Sequence, residues 1–318
     1  MNLDTLYYYS ELCKDMHITK TAGRLFISQQ TLSNHLARLE EACGTPLLLR
    51  KPKLSLTDAG EEVLRFARLV CHEQANLTDI LAEIEKQERG VLRFGASPLR
   101  MNACLPQILP SFTARYPRVE LRLTDDLSAS LEPMVLSGEL DFAAVLSSTP
   151  DPNLISEKLM TDPVYFCVSD ELLKDYYGEE AETLKEQAVA GADMRHFSRL
   201  PFCFNDTRLG KQIRESMTLA GIKPHIYAVN SDTLLSLTLC RQNLAACFAT
   251  HMRLASELNN LTDQINIFPL RIEGRSMTQT LSLIRRKDRF LTHFSKFFLD
   301  LLFRYFSEIQ QIQLERKV

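Results

Sequence analysis

No stretch of eighteen consecutive apolar residues occurs in this 318-residue chain, so its sequence does not predict a membrane-spanning helix. The first fifteen residues contain Asp4 and Glu11, and acidic side chains do not suit the apolar core of a secretory signal. These absences argue against a membrane partner and against secretion. We therefore expect a cytoplasmic protein.

The eight cysteines are scattered, and no two of them form a CxxC pair. No histidine lies near them at the spacing of zinc ligands, so neither a zinc site nor a disulfide framework is predicted. Cysteines of this kind are expected to be buried, reduced thiols. We predict no metal and no other cofactor.

Signatures of common enzyme classes are missing as well. The sequence contains no GxSxG, GxGxxG or P-loop motif, because Gly210-Lys211 is followed by Gln212 and not by Ser or Thr. Its histidines, for example His225 and His251, are isolated and fit structural or surface positions. The sequence therefore predicts a protein that is not an enzyme.

Charge is unevenly distributed along a chain whose composition, 45% apolar and 24% charged, predicts two or three globular domains. Residues 1–57 hold seven Lys/Arg against five Asp/Glu, which leaves 30 against 35 in the remainder. All seven basic residues lie between Lys14 and Lys53. A local basic face on an acidic protein indicates a polyanionic partner, and ordinary solvated charge is the alternative.

Three helices are predicted within this basic segment. Apolar residues at helical spacing mark two short ones, which Asp15-Met16-His17 separates. Ser28 is a suitable N-cap for a third helix, whose buried stripe is Leu32, Leu36 and Leu39. Because only three residues separate the second and third helices, the layout is that of a helix-turn-helix.

The opposite face of the third helix has the chemistry of a base reader. It carries Gln29, Gln30, Ser33, Asn34 and Arg38. Gln and Asn present a donor and an acceptor side by side and can bind adenine bidentately, whereas a solvated face more often carries Glu and Lys pairs. We predict that these side chains contact DNA bases, with plain polar surface as the alternative.

A basic hairpin is predicted after this helix. Gly44 can end the helix in a left-handed conformation, and two short apolar runs then flank the tip Lys51-Pro52-Lys53. Such a wing would place Arg50, Lys51 and Lys53 against phosphates or in the minor groove. The wing would supply affinity that depends on salt, while the helix selects the sequence.

These residues closely resemble the winged helix-turn-helix of LysR-type transcriptional regulators. The matching positions are Thr19 to Gln29, Leu32-Ser33, Leu39 to Glu41, Gly44 to Leu47, Arg50, and Leu56 to Gly60. In the helix-turn-helix, about residues 18–37, we include Thr19 among the predicted DNA contacts. The chain departs from the family pattern at four positions, which are Thr21, Gly23, Gln30 and Leu48.

A long helix is predicted from the cap residue Thr57 to about Glu88. Its apolar stripe recurs near a seven-residue period, which favours a partner helix, and a packed core helix is the alternative. The stripe consists of Val63, Phe66, Ala67, Val70, Leu77, Leu81 and Ile84. The resemblance implies an antiparallel linker-helix dimer, commonly assembled into tetramers, that reads inverted repeats in double-stranded promoter DNA and acts on RNA polymerase.

Strands and helices alternate after Gly90, which predicts a mostly parallel sheet in two small lobes. Segments 115–119 and 137–143 resemble the LysR-type effector domain, which is built like a two-lobed periplasmic binding protein. The expected fold class is thus α/β, with a winged helix-turn-helix, a long linker helix and a C-terminal effector domain. The predicted domains are 1–58, 59–89 and 90–318, with lobe I at about 90–162 and 270–318 and lobe II at about 163–269.

The predicted effector site lies at the carboxyl ends of strands, where helix N-termini present free N–H groups. Ser97 and Asn205 are the strongest candidates, and they would merely cap the following helices in the alternative interpretation. The full predicted set is Ser97, Asp125, Leu146, Ser147, Phe204, Asn205 and Thr207.

The sequence therefore predicts a transcriptional regulator that responds to a small molecule in a cleft between its lobes. One alternative within the family is a regulator that needs no effector or responds to redox state. Cys203 has Gln212 at the nine-residue spacing of the family's peroxide sensors, which leaves it without an obvious disulfide partner. An α/β enzyme and a secreted solute-binding protein are the more distant alternatives.

Overall fold

The computed structural model describes residues 2–51, 53–84, 89–146, 148, 150–258, 265–272 and 274–314. The chain divides into two compact units. Unit 1 contains Met1–Glu157 and Leu283–Leu301, and unit 2 contains Lys158–Ser282 and Leu302–Val318. The DNA-binding segment, the long helix and part of the C-terminal region thus share one unit, a grouping that the sequence patterns did not predict.

The N-terminal helices begin and end where their caps predict. They are α1 (Leu3–Asp15), α2 (Ile18–Arg24) and α3 (Gln29–Cys43), followed by the strands β1 (Leu48–Leu49) and β2 (Ser55–Leu56). Met16 and Gly44 adopt left-handed conformations that end α1 and α3, and the Ser28 hydroxyl caps α3. The two strands form an antiparallel hairpin. These elements enclose a small apolar core that includes Tyr9, Leu12, Leu32, Leu36 and Leu39.

Helix α4 (Asp58–Ile84) follows the hairpin directly. The Thr57 hydroxyl accepts the Gly60 N–H at 3.0 Å, so Thr57 caps this helix as predicted. Gly60 lies so close to the Leu47 carbonyl oxygen that a Cβ would stand 2.1 Å from it, and only glycine fits there. Residues 85–88, the predicted end of the helix, lie outside the described residues.

The remainder of unit 1 contains parallel strands with helices between them. Its elements are β3 (Arg89–Ala96), α5 (Pro98–Arg115), β4 (Arg118–Asp125), α6 (Ser128–Leu136) and β5 (Phe142–Leu146). Strand β3 pairs in parallel with β4 on one side and β5 on the other. Phe94 and Phe112 pack against Phe298, which comes from the C-terminal part of the unit, and these three rings form part of its core.

Unit 2 has a mixed sheet. Its elements are β6 (Leu154–Ser169), α7 (Asp170–Tyr177), α8 (Glu180–Ala188), β7 (Ala192–Asp193), β8 (Pro201–Asn205), α9 (Arg208–Leu219), β9 (His225–Asn230), α10 (Thr233–Arg241), β10 (Ala246–Thr250), α11 (His251–Ser256), β11 (Ile265–Ile272), β12 (Arg275–Ser276), β13 (Thr278–Arg286) and α12 (His293–Gln311). Strands β8, β9 and β10 pair in parallel, whereas β6 is antiparallel to β10 and β11. Strands β6 and β13 and helix α12 each contribute residues to both units.

The unit boundaries differ from the predicted lobe limits at residues 158–162, 270–282 and 302–318, which belong to unit 2 and not to the first lobe. The end of α12 explains part of the difference. The Ile309 carbonyl oxygen lies 2.9 Å from the His251 ring, and the Gln310 side chain accepts the Thr161 N–H at 3.1 Å. Apolar periodicity predicts this helix, but it carries no information on which core its second half joins.

Candidate nucleic-acid interface and ligand site

Helix α3 separates its core residues from its polar face. Leu32 and Leu39 are fully buried, and Leu36 is nearly so. Gln29, Gln30, Asn34 and Arg38 are exposed, and Ser33 is half-buried. The predicted base-reading side chains therefore project from a helix whose other side is anchored in the core.

Local hydrogen bonds orient the amides on this face. The Thr19 hydroxyl donates to the Gln29 side-chain oxygen at 3.2 Å, and the Gln30 amide donates to the Asn34 oxygen at 2.9 Å. The Ser28 hydroxyl accepts the Thr31 N–H at 3.0 Å and holds the start of the helix. The bond between Gln30 and Asn34 leaves the Gln30 oxygen and the Asn34 NH₂ group available, which is an acceptor beside a donor.

Several of the predicted cations are ion-paired within the protein. Arg24 bonds to both Glu11 and Asp15, Lys14 lies 2.6 Å from Glu11, and Lys20 lies 2.9 Å from Asp15. Hydrogen bonds from Lys20 and Arg24 lower the pKa of Asp15 to about 2. These pairs hold α1 and α2 together, so part of the basic excess seen in the sequence has a structural role.

The cations outside these pairs lie on α3 and on the hairpin. Within the described part of the chain, Arg38, Lys51 and Lys53 form no ion pair, and all three are exposed. Arg50 lies 3.6 Å from Glu40, whose carboxylate also accepts the Leu47 N–H at 2.9 Å and thereby ties the hairpin to α3. The positive charge that remains for a phosphate backbone is therefore carried by α3 and by the hairpin that follows it.

The strand ends of unit 1 bring three predicted ligand residues to one edge of its sheet. Ala96 is paired in register with Asp125 and with Ala144, so Ser97, Asp125 and Leu146 all lie at the carboxyl edge. The Leu146 N–H donates to the Ser128 hydroxyl at 2.9 Å, which adds a hydroxyl that the sequence prediction missed. Ser147 lies outside the described residues.

Ser97 does not act as a side-chain cap. It occupies the N-cap position of α5, but its hydroxyl makes no capping bond and instead accepts from the Arg100 guanidinium at 2.7 Å. Arg100 is only 5% exposed. A hydroxyl at a helix N-terminus with a buried cation beside it is suited to polar or anionic groups, which weakens the purely structural interpretation of Ser97.

Asn205 belongs to a polar cluster at the strand ends of unit 2. Its side-chain NH₂ donates to the Asn230 oxygen at 3.2 Å and to the Ser236 hydroxyl at 3.1 Å. Asn230 in turn donates to the Cys203 sulfur at 3.0 Å and to Ser236 at 3.0 Å. The sequence prediction missed Asn230 and Ser236, although Asn230 comes directly after the strand predicted at Ile226 to Val229 and that position was a usable signal.

Two other predicted ligand residues have structural roles. The Thr207 hydroxyl accepts the Gly210 N–H at 3.2 Å and caps α9. The Phe204 ring is 1% exposed and packs against Phe248 with ring centroids 5.6 Å apart, so its side chain belongs to the core. Both faces of β8 are buried, so the side chains on either face lie in the core.

The buried cysteines of unit 2 have neighbours that spacing along the chain did not reveal. Cys247 is the register partner of both Cys203 and Cys167, and all three side chains are fully buried. A hydrogen bond with Cys247, together with burial, raises the pKa of the Cys240 thiol well above its usual value. These thiols are core side chains. The nine-residue spacing along the chain did not identify the cysteines that lie near Cys203 in the fold.

Membrane-spanning helices and metal-ligand clusters are both missing from the described residues. No described helix is both long enough and apolar enough to span a membrane. No group of three or more His, Cys, Asp or Glu side chains is arranged to hold a metal ion in the described part of the chain.

Comparison with known proteins identifies the family. The family model described as "Bacterial regulatory helix-turn-helix protein, lysR family" matches residues 3–61, and the "LysR substrate binding domain" matches residues 85–307. The second match alone covers more than half of the chain. The protein belongs to the LysR family of DNA-binding transcriptional regulators with an effector-binding domain, as the sequence motifs predicted.

Individual relatives agree with this assignment. The chain is 25% identical over 97% of its length to the whole of "Uncharacterized HTH-type transcriptional regulator YybE" of Bacillus subtilis. It is 33% identical over 45% of its length, and 49% of the relative, to "HTH-type transcriptional activator IlvY" of Salmonella typhimurium. It matches 60% of the length of YkuM of Bacillus subtilis, at 28% identity over 54% of this chain.

Solved structures share the fold. A full-length OxyR variant from Pseudomonas aeruginosa matches with a TM-score of 0.69 and 18% identity, over 100% of this chain and 99% of that one. Full-length CbnR in complex with its target DNA matches with a TM-score of 0.60 and 19% identity, over 96% of this chain and 100% of that one. These likenesses confirm the predicted fold class.

Proposed function

We propose that this regulator binds inverted repeats in promoter DNA, with α3 reading bases and the hairpin contacting phosphates or the minor groove. The observation that carries the proposal is the exposed row of Gln29, Gln30 and Asn34 above the buried leucines of α3. Arg38 on α3 and Lys51 and Lys53 on the hairpin add exposed cations. Amides supply base selectivity, and the cations supply affinity that falls with salt.

We further propose that α4 pairs with a second copy of this chain. Phe66, Leu77 and Leu81 are 46%, 55% and 52% exposed, although each would be buried against a partner helix. Two paired DNA-binding heads, each formed by α1 to α3 and the β1–β2 hairpin, would present two recognition helices to an inverted repeat. The proposed assembly is a dimer of dimers that acts in the cytoplasm, where it contacts promoter DNA and RNA polymerase.

The strand ends of the two units supply the proposed effector contacts. Ser97, Asp125 and Leu146 belong to unit 1, and Asn205 with Asn230 belongs to unit 2. Effector binding would favour one arrangement of the assembly and thereby change how the heads engage DNA, which is a population shift. We infer that the effector is bound and released unchanged, as in a regulator and not in an enzyme.

Selection of binding sites from a random DNA library by the full chain tests the DNA proposal. The wild type should enrich an inverted repeat. Gln30→Ala should lose about 1 to 3 kcal/mol of preference at particular base pairs, because it removes one amide. Lys53→Ala should weaken binding to every sequence and reduce the salt slope by about one.

Gln187→Ala and Lys223→Ala are matched controls, because both side chains are exposed in unit 2. They should leave the selected repeat and the salt slope unchanged. The division of labour between helix and hairpin fails if Gln30→Ala and Lys53→Ala weaken specific and random DNA equally.

A thermal-shift screen of the full chain against metabolites tests the effector proposal. A true effector raises the unfolding midpoint in proportion to the logarithm of its concentration. Ser97→Ala or Asn205→Ala should reduce that shift, whereas Ser307→Ala, an exposed serine on α12, should not. Turnover of a screened metabolite would show that the chain is an enzyme and contradict the proposal.

A further inference from the structure

A buried polar row joins α4 to the rest of unit 1. His72 on α4 is 6% exposed, Asp141 before β5 is 1% exposed, and Arg289 before α12 is 6% exposed. Buried charges are costly unless they are paired, so such a row requires close partners. We propose that this row is a latch that fixes α4 on the sheet of unit 1 and so positions the DNA-binding head.

Arg289 connects the helix to the sheet through one close contact with His72 and one ion pair with Asp141. One Arg289 Nη atom lies 2.9 Å from the His72 Nε2 atom, and the other lies 2.9 Å from an Asp141 carboxylate oxygen. The second Asp141 oxygen accepts the Arg93 N–H at 2.8 Å, and the Asp141 N–H donates to the Arg93 carbonyl at 2.9 Å. Four separate segments of unit 1 are thus connected.

The chemistry of this contact sets the protonation state of His72. A guanidinium group can only donate, so the His72 Nε2 atom must accept and the imidazole must be neutral. Burial, with the cations Arg289 and Arg93 nearby, lowers the pKa of His72 to about 3. A neutral acceptor is therefore what the latch requires, and an amide oxygen could replace it.

The shape of the neighbouring loop also fits the imidazole ring. Gly138 has φ +78, and a Cβ there would stand 2.6 Å from the ring. Ion pairs lie on both sides of the latch, since Arg68 is 3.7 Å from Glu139 and Glu73 is 3.3 Å from Arg286. The segment 137–143, which includes Gly138 and Asp141, thus has a local role, which is to contact α4.

The other contacts of α4 connect the latch to the head. Leu64 and Ala67 of α4 are buried in the core of the head. The Tyr9 hydroxyl on α1 donates to the Gly60 carbonyl at 2.9 Å. Because a helix transmits rotation along its axis, fixing His72 fixes the orientation of α3 relative to the β3–β5 sheet. The same orientation leaves Phe66, Leu77 and Leu81 exposed for a partner helix.

Hydrogen exchange of the full chain tests the latch without any DNA or effector. His72→Leu keeps the apolar bulk but removes the acceptor, whereas His72→Gln keeps an acceptor. In His72→Leu we expect exchange to rise by about tenfold in peptides from 68–80 and 286–292, because a buried charged donor loses its partner. Peptides from 29–43 and 201–219 should be unchanged, and His72→Gln should resemble the wild type.

Three results would overturn the proposal. They are unchanged exchange in His72→Leu, a uniform rise in every peptide that reports global destabilisation, and equal loosening in His72→Gln. Each of these would show that His72 does not specifically hold α4 on the sheet.

A second experiment, which rests on the proposed function, is the selection of DNA sites by the wild type and by His72→Leu. It tests whether the latch positions the heads. The wild type should select inverted repeats with one half-site separation, and His72→Leu should accept a wider range while keeping the same half-site sequence. An unchanged separation would overturn the positioning role. If the wild type selects no repeat, the DNA proposal fails and the exchange experiment still decides the latch.

Discussion

The DNA-binding head and the polar cluster of unit 2 differ in where their polar residues lie in the sequence and in what those residues contact. In the head, Gln29 to Arg38 lie on one helix within a single stretch of sequence, and their polar groups face solvent. In unit 2, Asn205, Asn230 and Ser236 come from β8, β9 and α10, and they bond to one another. The polar face of the head lies on one helix and is open to solvent. The cluster of unit 2 combines residues of three elements, which hydrogen-bond to one another.

The two arrangements predict different effects of substitution. A residue on the open face of α3 can be replaced with little effect on folding, because water solvates it in the folded state. A residue in the assembled cluster supports its neighbours, so its loss should affect both folding and ligand binding. Four predictions test this contrast, in order of expected effect.

Leu32→Ala should give the largest effect. Leu32 is fully buried between the helices of the head, and truncation of a buried leucine lowers the free energy of unfolding by about 2 to 5 kcal/mol. Gln30→Ala on the exposed face should change it by less than about 0.5 kcal/mol. Denaturant titration of the full chain, followed by circular dichroism, measures both. Equal losses would show that the two faces of α3 are not separate.

Ser236→Ala should show that the polar cluster of unit 2 stabilises the fold. Ser236 is fully buried, and its hydroxyl is bonded to both Asn205 and Asn230. Leaving buried amides without this partner should lower the free energy of unfolding by about 1 to 3 kcal/mol. The exposed Ser231→Ala is the matched control for the same denaturation measurement. A neutral Ser236→Ala would mean that the cluster contributes little to folding.

The pH dependence of stability should report the neutral state of His72. Its pKa is about 3 in the folded protein, where burial and then Arg289, Arg93 and Arg286 lower it and Asp288 opposes them, and near 6.5 when unfolded. Between these pH values the unfolded chain binds a proton that the folded chain excludes. The stabilisation from neutral His72 is therefore complete above pH 6.5 and declines as the pH falls toward 3.

The expected slope is about 1 kcal/mol per pH unit. Thermal melts of the wild type and of His72→Gln, which lacks this titration, isolate it from other acidic groups, including Asp141 at 3.9 Å from the ring. Identical acid profiles for the two proteins would contradict the prediction.

Gly23→Ala should give the smallest effect, and a favourable one. Gly23 lies within α2, and an added Cβ would meet no atom within 4 Å. Alanine in a helix interior is more stable than glycine by about 0.5 to 1 kcal/mol. A differential thermal melt of the two proteins measures the gain, and DNA affinity should not change. A loss of stability would show that this departure from the family pattern has a structural purpose.

The parts of the fold that follow from local rules were predictable. Ser28, Gly44 and Thr57 mark helix ends because capping depends on a few adjacent residues. Helices α7 and α8 and strand β11 were not predicted from the sequence. The polar residues at the strand ends were predicted in part, because Ser97 and Asn205 come at the ends of strands while Ser236 reaches the cluster from inside a helix.

The architecture of the head could be predicted from sequence alone, because helix periodicity, capping and the identity of six polar side chains all lie within about forty residues. The family could be predicted as well, from motifs in a single register. Which cations remain available, which strand ends meet and what His72 contacts became known only from the folded structure. Those outcomes depend on the ion pair between Glu11 and Arg24 and on two hydrogen bonds, one between Asn205 and Asn230 and one between Arg289 and His72. Such pairs are distant in sequence, and only the packing of the folded chain brings them together.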